Sequence, residues 1–113
     1  MHEMSLAMNI VAIAGEQAAA HGAGAVRAIH ADVGVLAGVE ARSLAFCFEA
    51  ARAGTPMADA ELVIHEIPGR GRCRDCGAEV PVAFFVAVCP ECGAGGVEIT
   101  SGRELRVRSL DIA

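Results

Sequence analysis

The chain contains no lysine, no tryptophan and no tyrosine, and only four phenylalanines. With nine arginines against fourteen acidic residues, the formal net charge is −5. An acidic surface without lysine is a poor sequence-independent partner for a polyanion, and scarce aromatics leave no platform for stacking bases. No apolar run reaches the roughly 18 residues of a membrane span. The longest candidate, residues 10–20, is interrupted by Glu16 and Gln17 and lacks a basic segment before it, so neither a span nor a signal peptide is expected. Catalytic triads, phosphate loops and other enzymatic motifs are also missing, so catalysis is not expected. What remains is a 113-residue chain, 54% apolar, suited to one folded domain with a small satellite.

Four of the five cysteines form two CxxC pairs, Cys73-Arg-Asp-Cys76 and Cys89-Pro-Glu-Cys92. Each pair is a tight turn that aims two thiolates at one point, and a hairpin between the pairs would bring them into the tetrahedron that zinc requires. Gly77 and Gly93 follow the second cysteine of each pair and ease the turn. Four thiolates leave zinc no open position, so the ion would be structural. Reduced thiols available to metal point to the cytoplasm. Arg70, Arg72 and Arg74 flank the first pair, and Arg103, Arg106 and Arg108 lie near the end. The first cluster is read as charge compensation beside an anionic metal site rather than as a partner-binding patch.

The hydrophobic pattern predicts a helix over 4–20, with Leu6, Ile10, Ile13 and Ala14 at helical spacing and Gly22 after its end. A strand is expected over 25–36, with Gly34 marking a bulge or its end. A second helix, 40–53, presents Leu44, Cys47, Phe48 and Ala51 on one face and stops at Gly54. Further strands are expected at 62–67, within 79–86 and at 105–112. The last should return to the first sheet, because two helices need more than two strands to cover. The predicted fold class is therefore α+β: two helices on a roughly three-stranded sheet, residues 1–68 plus 99–113, carrying an inserted zinc-ribbon-like domain at 69–98.

The first three residues, Met1-His2-Glu3, offer a second metal chemistry. The Met1 amine, the His2 amide and imidazole Nδ1, and the Glu3 amide can close fused chelate rings around one ion. Four nitrogens in a plane suit Ni(II) and Cu(II) and fit zinc poorly. Such a site needs a free amine at Met1, and acid competes with the metal for it.

The initial MHE, the SLA that follows, Asp32-Val-Gly34, Ser43-Leu44, Phe46 to Glu49, Gly54-Thr55, Ser101-Gly102 and the paired CxxC module together resemble the HypA family of hydrogenase-maturation nickel metallochaperones. The resemblance runs over essentially the whole length. It implies an α/β nickel-binding domain with a smaller zinc domain, and delivery of nickel to the large subunit of [NiFe]-hydrogenase. It also implies a maturation GTPase as partner and, for some members, service to urease. Carried over to this chain, the nickel residues are His2 and Glu3 with the Met1 amine, and the zinc ligands are Cys73, Cys76, Cys89 and Cys92. The additional histidine that some relatives place near the zinc module has no counterpart after Cys73.

The remaining residues read as structural. His30 and His65 are expected as packed or edge residues, His21 as a residue of the helix end, Cys47 as a small buried hydrophobe, and Met4 and Met8 as core packing. Glu40 and Glu49 are read as solvated helix positions. Two other functions compete with metal carriage. A zinc-ribbon adaptor in transcription or translation would use the arginine clusters, and a thiol redox protein would form a reversible disulfide in place of zinc.

Overall fold

In the computed structural model, residues 2–83 and 88–113 are described. Helix α1 spans Glu3–Ala20 and buries Ala7, Ile10, Ala14 and Ala18, a stripe at intervals of three and four. This face is turned from the expected one. Ile13 is 43% exposed, and Met8, expected in the core, is 59% exposed. The alanine-lined face suits close packing against the second helix, and larger side chains are left to the rim. The helix ends in a Schellman motif: Gly22, at φ 66°, donates to the Ala19 carbonyl and Ala23 donates to that of Ala18.

Strand β1, Val26–Gly34, leads to α2, Ala41–Ala51, whose Leu44, Cys47 and Phe48 are buried as the pattern predicted. Glu40 is not merely solvated. It is the N-cap of α2, and its carboxylate accepts from the Arg42 amide at 2.7 Å. Glu49 pairs with Arg52 one turn later, and Gly54 closes the helix end at φ 73°.

Strand β2, Glu61–Ile67, and the last strand, β6, Leu105–Ile112, flank β1 in a sheet of order β2-β1-β6. The chain's end thus returns to the first sheet, as expected. Val35 N–H donates to the Ile67 carbonyl at the C-terminal ends of β1 and β2, so these strands run parallel and α2 is the crossover. Alternation along β1 puts Ile29, Ala31 and Val33 on one face, all nearly fully buried. His30 and Asp32 share the other face.

Asp32 is the one buried charged residue among those described. Arg106 Nε donates to its Oδ2 at 2.9 Å, and Arg108 Nη2 forms an ion pair with Oδ1 at 2.7 Å. Burial opposes the Asp32 carboxylate, but the two guanidiniums outweigh it and hold the pKa below its ordinary value. Two of the three arginines near the chain end therefore serve an internal ion pair.

A second sheet, order β4-β3-β5, joins β3 (Arg70–Cys73) to β4 (Glu79–Pro81) and β5 (Val97–Ser101), both antiparallel. The hairpin expected within 79–86 appears as β4 up to Pro81; its continuation, from Phe84 to Val86, lies outside the described residues. Strand β5 was not anticipated. Contacts divide the chain into two compact units. The first comprises Met1–Asp32, Val39–His65 and Arg106–Ala113, and the second Val33–Gly38 and Glu66–Leu105.

Within the second unit, Gly34 N–H donates to the Glu104 carbonyl and Leu36 N–H to that of Gly102, each at 2.7 Å. A Cβ on Gly34 would sit 1.9 Å from the Gly102 oxygen, so only glycine fits where these backbones cross. Gly34→Ala is expected to cost at least about 1–3 kcal/mol, since rigid backbone must shift; the urea midpoint of the variant checks this. Asp32 supplies stability above its ordinary pKa of about 3.9, which is lost as pH falls through the depressed folded value. The stability gap between the native chain and Asp32→Asn should therefore be widest near neutrality and close in acid. Urea titrations at several pH values measure that gap.

Candidate metal centres

The cysteine centre is built from two turns with the same wiring. Cys73 N–H donates to the Ala78 carbonyl and Gly77 N–H to that of Cys73. At the second turn, Cys89 N–H donates to Ala94 and Gly93 N–H to Cys89. Gly77 and Gly93 take φ of 76° and 78°, the left-handed geometry foreseen for them. Cys73 closes β3, so the sheet fixes the first turn, and Val80 packs with Cys73 and Cys89 in a small core completed by Ala78, Ala94 and Val97.

The four Sγ atoms lie within 4.8 Å of one another. Cys73 and Cys92 approach to 3.5 Å, and Cys76 and Cys89 to 3.7 Å. Thiolates in a tetrahedron around zinc, at about 2.3 Å each, stand about 3.8 Å apart. The arrangement and the all-sulfur donor set fit zinc. The Cys76 amide, aimed at Cys73 Sγ, favours that thiolate and, with the Asp75 amide, brings its pKa to about 7 against desolvation. At Cys92 the Ala94 amide favours ionisation, but the neighbouring Cys73 sulfur, burial and the other sulfurs outweigh it and push the pKa up to about 12. Four sulfurs this close cannot all ionise without a cation among them.

Beside this centre, two of the three arginines of the first cluster face glutamates across the sheet. Arg72 is in register with Glu79 on one side and Glu98 on the other, and Arg74 pairs with Glu98 at 3.2 Å. The compensation expected of these arginines is thus directed at glutamates across the sheet.

At the chain start, Met1 lies outside the described residues. His2 is exposed and is the N-cap of α1, with φ −122° and ψ −5°. The near-zero ψ eclipses the His2 and Glu3 nitrogens on one side of the Cα–C bond, as a five-membered chelate ring requires. Among the described residues, the first intrahelical bond runs from Leu6 N–H to the His2 carbonyl. The Glu3 carboxylate accepts from the Glu40 amide at 3.3 Å, which ties the start of α1 to the N-cap of α2. That amide, then Glu3's own, and the charge of His2 lower the Glu3 pKa against desolvation. Its side chain stands 4.0 Å from His2 Nε2.

One cluster was missed by sequence reasoning. His30 and His65, which have no liganding neighbour along the chain, meet in space. His30 Nδ1 is 2.8 Å from His65 Nε2, and His30 Nε2 is 2.8 Å from Asp111 Oδ2. The three residues come from three strands, so no local spacing could announce them.

Residues 1–112 match the family model described as hydrogenase/urease nickel incorporation, metallochaperone, hypA. The chain belongs to the HypA family. The hydrogenase maturation factor HypA of Chlorobaculum tepidum is 54% identical over 112 residues, covering 99% of each chain. That of Geobacter metallireducens is 43% identical over the same length and share. Among solved structures, a HypA protein in solution superposes with a TM-score of 0.74 at 28% identity, covering 100% of this chain and 97% of the other. The Ni metallochaperone HypA from Helicobacter pylori gives 0.70 at 26% identity, covering 99% and 97%. HypA membership fits the observed α+β architecture, two helices with two small sheets. It favours nickel handling over the zinc-ribbon adaptor and redox readings, for which no further observation speaks. No described helix is long and apolar enough to cross a membrane.

Proposed function

We propose that this chain carries Ni(II) in a nitrogen-donor site at its first residues and passes the ion to the large subunit of a [NiFe]-hydrogenase, acting in the cytoplasm with the GTPase of the same maturation pathway. Urease maturation is a second destination open to the same chemistry. The role is binding and hand-over; no bond chemistry is required of the protein. The observation that carries this reading is the MHE start on a chain matched to HypA over 112 residues.

In the proposed site the Met1 amine, the His2 amide and Nδ1, and the Glu3 amide form a square plane. Glu3 contributes through its backbone, because its carboxylate is engaged with the Glu40 amide. A bare dication at a helix N-terminus would meet the positive end of the dipole. Two deprotonated amides cancel the charge of the ion, so the complex sits there without that penalty. The His2 ψ of −5° supports the same arrangement, since the ring through the His2 and Glu3 nitrogens needs a torsion near zero there. Cys73, Cys76, Cys89 and Cys92 are proposed to hold a structural zinc. In this scheme residues 1–68 plus 99–113 carry the nickel function and 69–98 the zinc.

His2→Ala, in protein starting at its own methionine, is expected to lower nickel affinity by at least about 100-fold while zinc content and helicity stay unchanged, because the imidazole, one of the four donors, is lost. Calorimetric titration decides it; equal affinity in the variant would refute the assignment. Cys73→Ala is expected to abolish zinc retention and unfold the β3–β5 region. A structural zinc is worth on the order of 10 kcal/mol, more than so small a core supplies. Metal analysis together with amide exchange of β3 and β5 reads both effects.

A further inference from the structure

We propose that His30 and His65 form a second site for a divalent transition-metal ion, oriented by Asp111 and separate from the chain start. The site rests on juxtaposition: adjacent strands β1 and β2 bring His30 Nδ1 and His65 Nε2 to 2.8 Å, with the rings 5.1 Å apart and 23° from parallel. Two imidazole nitrogens at about 2.0–2.1 Å from one ion, in neighbouring positions at a right angle, stand about 2.9 Å apart. The separation is that of neighbouring ligands; both nitrogens lie on the line between the rings, so each ring must turn by about 45° to aim its lone pair at a shared ion.

Asp111 fixes which nitrogen is free to bind. An ionised carboxylate only accepts, so His30 Nε2 carries the proton and donates it to Asp111 Oδ2 at 2.8 Å. Nδ1 of the neutral ring is then left with its lone pair facing His65. Without metal, His65 Nε2–H donates to that lone pair. With metal, the His65 proton moves to its Nδ1 through solvent, both rings turn, and the ion sits beside the line between the two nitrogens. No net proton is lost and both rings stay neutral. A carboxylate on the far nitrogen of a ligating histidine is the usual outer support of such sites; it sets the tautomer and raises the basicity of the ligand. The His30 side chain is 22% exposed and Asp111 58% exposed, so the site is open to ions from solution and waters can complete the coordination. Neutral imidazoles suit Ni(II), Cu(II) and Zn(II), and nickel is the ion that the chain's family incorporates.

The test uses zinc-loaded, full-length protein beginning at its own Met1, titrated with nickel sulfate. In the His2→Ala variant the chain-start site is disabled, so any remaining specific uptake belongs elsewhere. One equivalent of nickel is expected to persist there and to disappear when His65→Gln is added. Asp111→Asn, in the same background, is expected to weaken that equivalent by about 10-fold, the lower end for an outer-shell partner, since Asp111 is well exposed. A readout independent of variant folding is the imidazole spectrum of the His2→Ala protein: nickel should shift or broaden the His30 and His65 ring signals and leave His21 unaffected. No residual nickel uptake in His2→Ala would overturn the proposal, as would uptake that leaves the His30 and His65 rings unchanged. Neither result bears on the chain-start site, which is judged by the affinity of the native protein.

Discussion

Four sulfurs drawn to within 4.8 Å of one another make a demand that no hydrophobic packing can meet. As neutral thiols they are only weak hydrogen-bond partners, and as thiolates they repel, so a cation among them satisfies all four at once. The second unit is organised around that demand. The buried apolar cluster around the sulfurs is Cys73, Val80 and Cys89, the unit adds only Val33, Leu36 and Val82 among described buried hydrophobics, and its sheet strands are three to five residues long. Each turn repeats the same pair of backbone bonds, closed by a left-handed glycine. Below about 70 residues a single core supplies little stability, and a metal can make up the difference.

The first unit is held in another way. An alanine-lined α1, the Leu44–Phe48 face of α2 and one face of β1 supply ordinary apolar packing. The opposite face of β1 is apolar at Val26 and Ala28 and polar at His30 and Asp32, and each of these two polar groups has a partner from a flanking strand. Asp32 takes two guanidiniums from β6; His30 takes an imidazole from β2 and a carboxylate from β6. Such a face departs from what burial alone would select, and departures of this kind are where chemistry is to be sought. The chain start has its own constraint, for Glu3 fastens α1 to the cap of α2 while His2 remains exposed beside it.

Much of this was legible along the chain because it is local. CxxC spacing places two thiolates on one turn, and Gly77 and Gly93 follow from the backbone angle the turn needs. The Leu44, Cys47, Phe48 stripe is a helix face that one turn of geometry defines. The α1 face was read less well. Leu6 and Ile13 carry the larger hydrophobicity, but closeness to α2 selected Ala7, Ala14 and Ala18 for burial and left Met8 outside. Strand β5 was missed because Val97–Ser101 has little apolar alternation; its pairing with β3 makes it a strand.

The sequence by itself determined the CxxC turns, the nitrogen-rich start, the second helix and the return of the last strand, since each depends on residues a few positions apart or on counting faces to be covered. Only the tertiary structure decided that Asp32 is buried between Arg106 and Arg108, that Gly34 must be glycine because another backbone crosses it, and that His30, His65 and Asp111 form one hydrogen-bonded chain. Those contacts join residues 35 to 81 positions apart in the chain. Nothing in local propensity encodes such distances; they are set when strands choose their neighbours in the sheet.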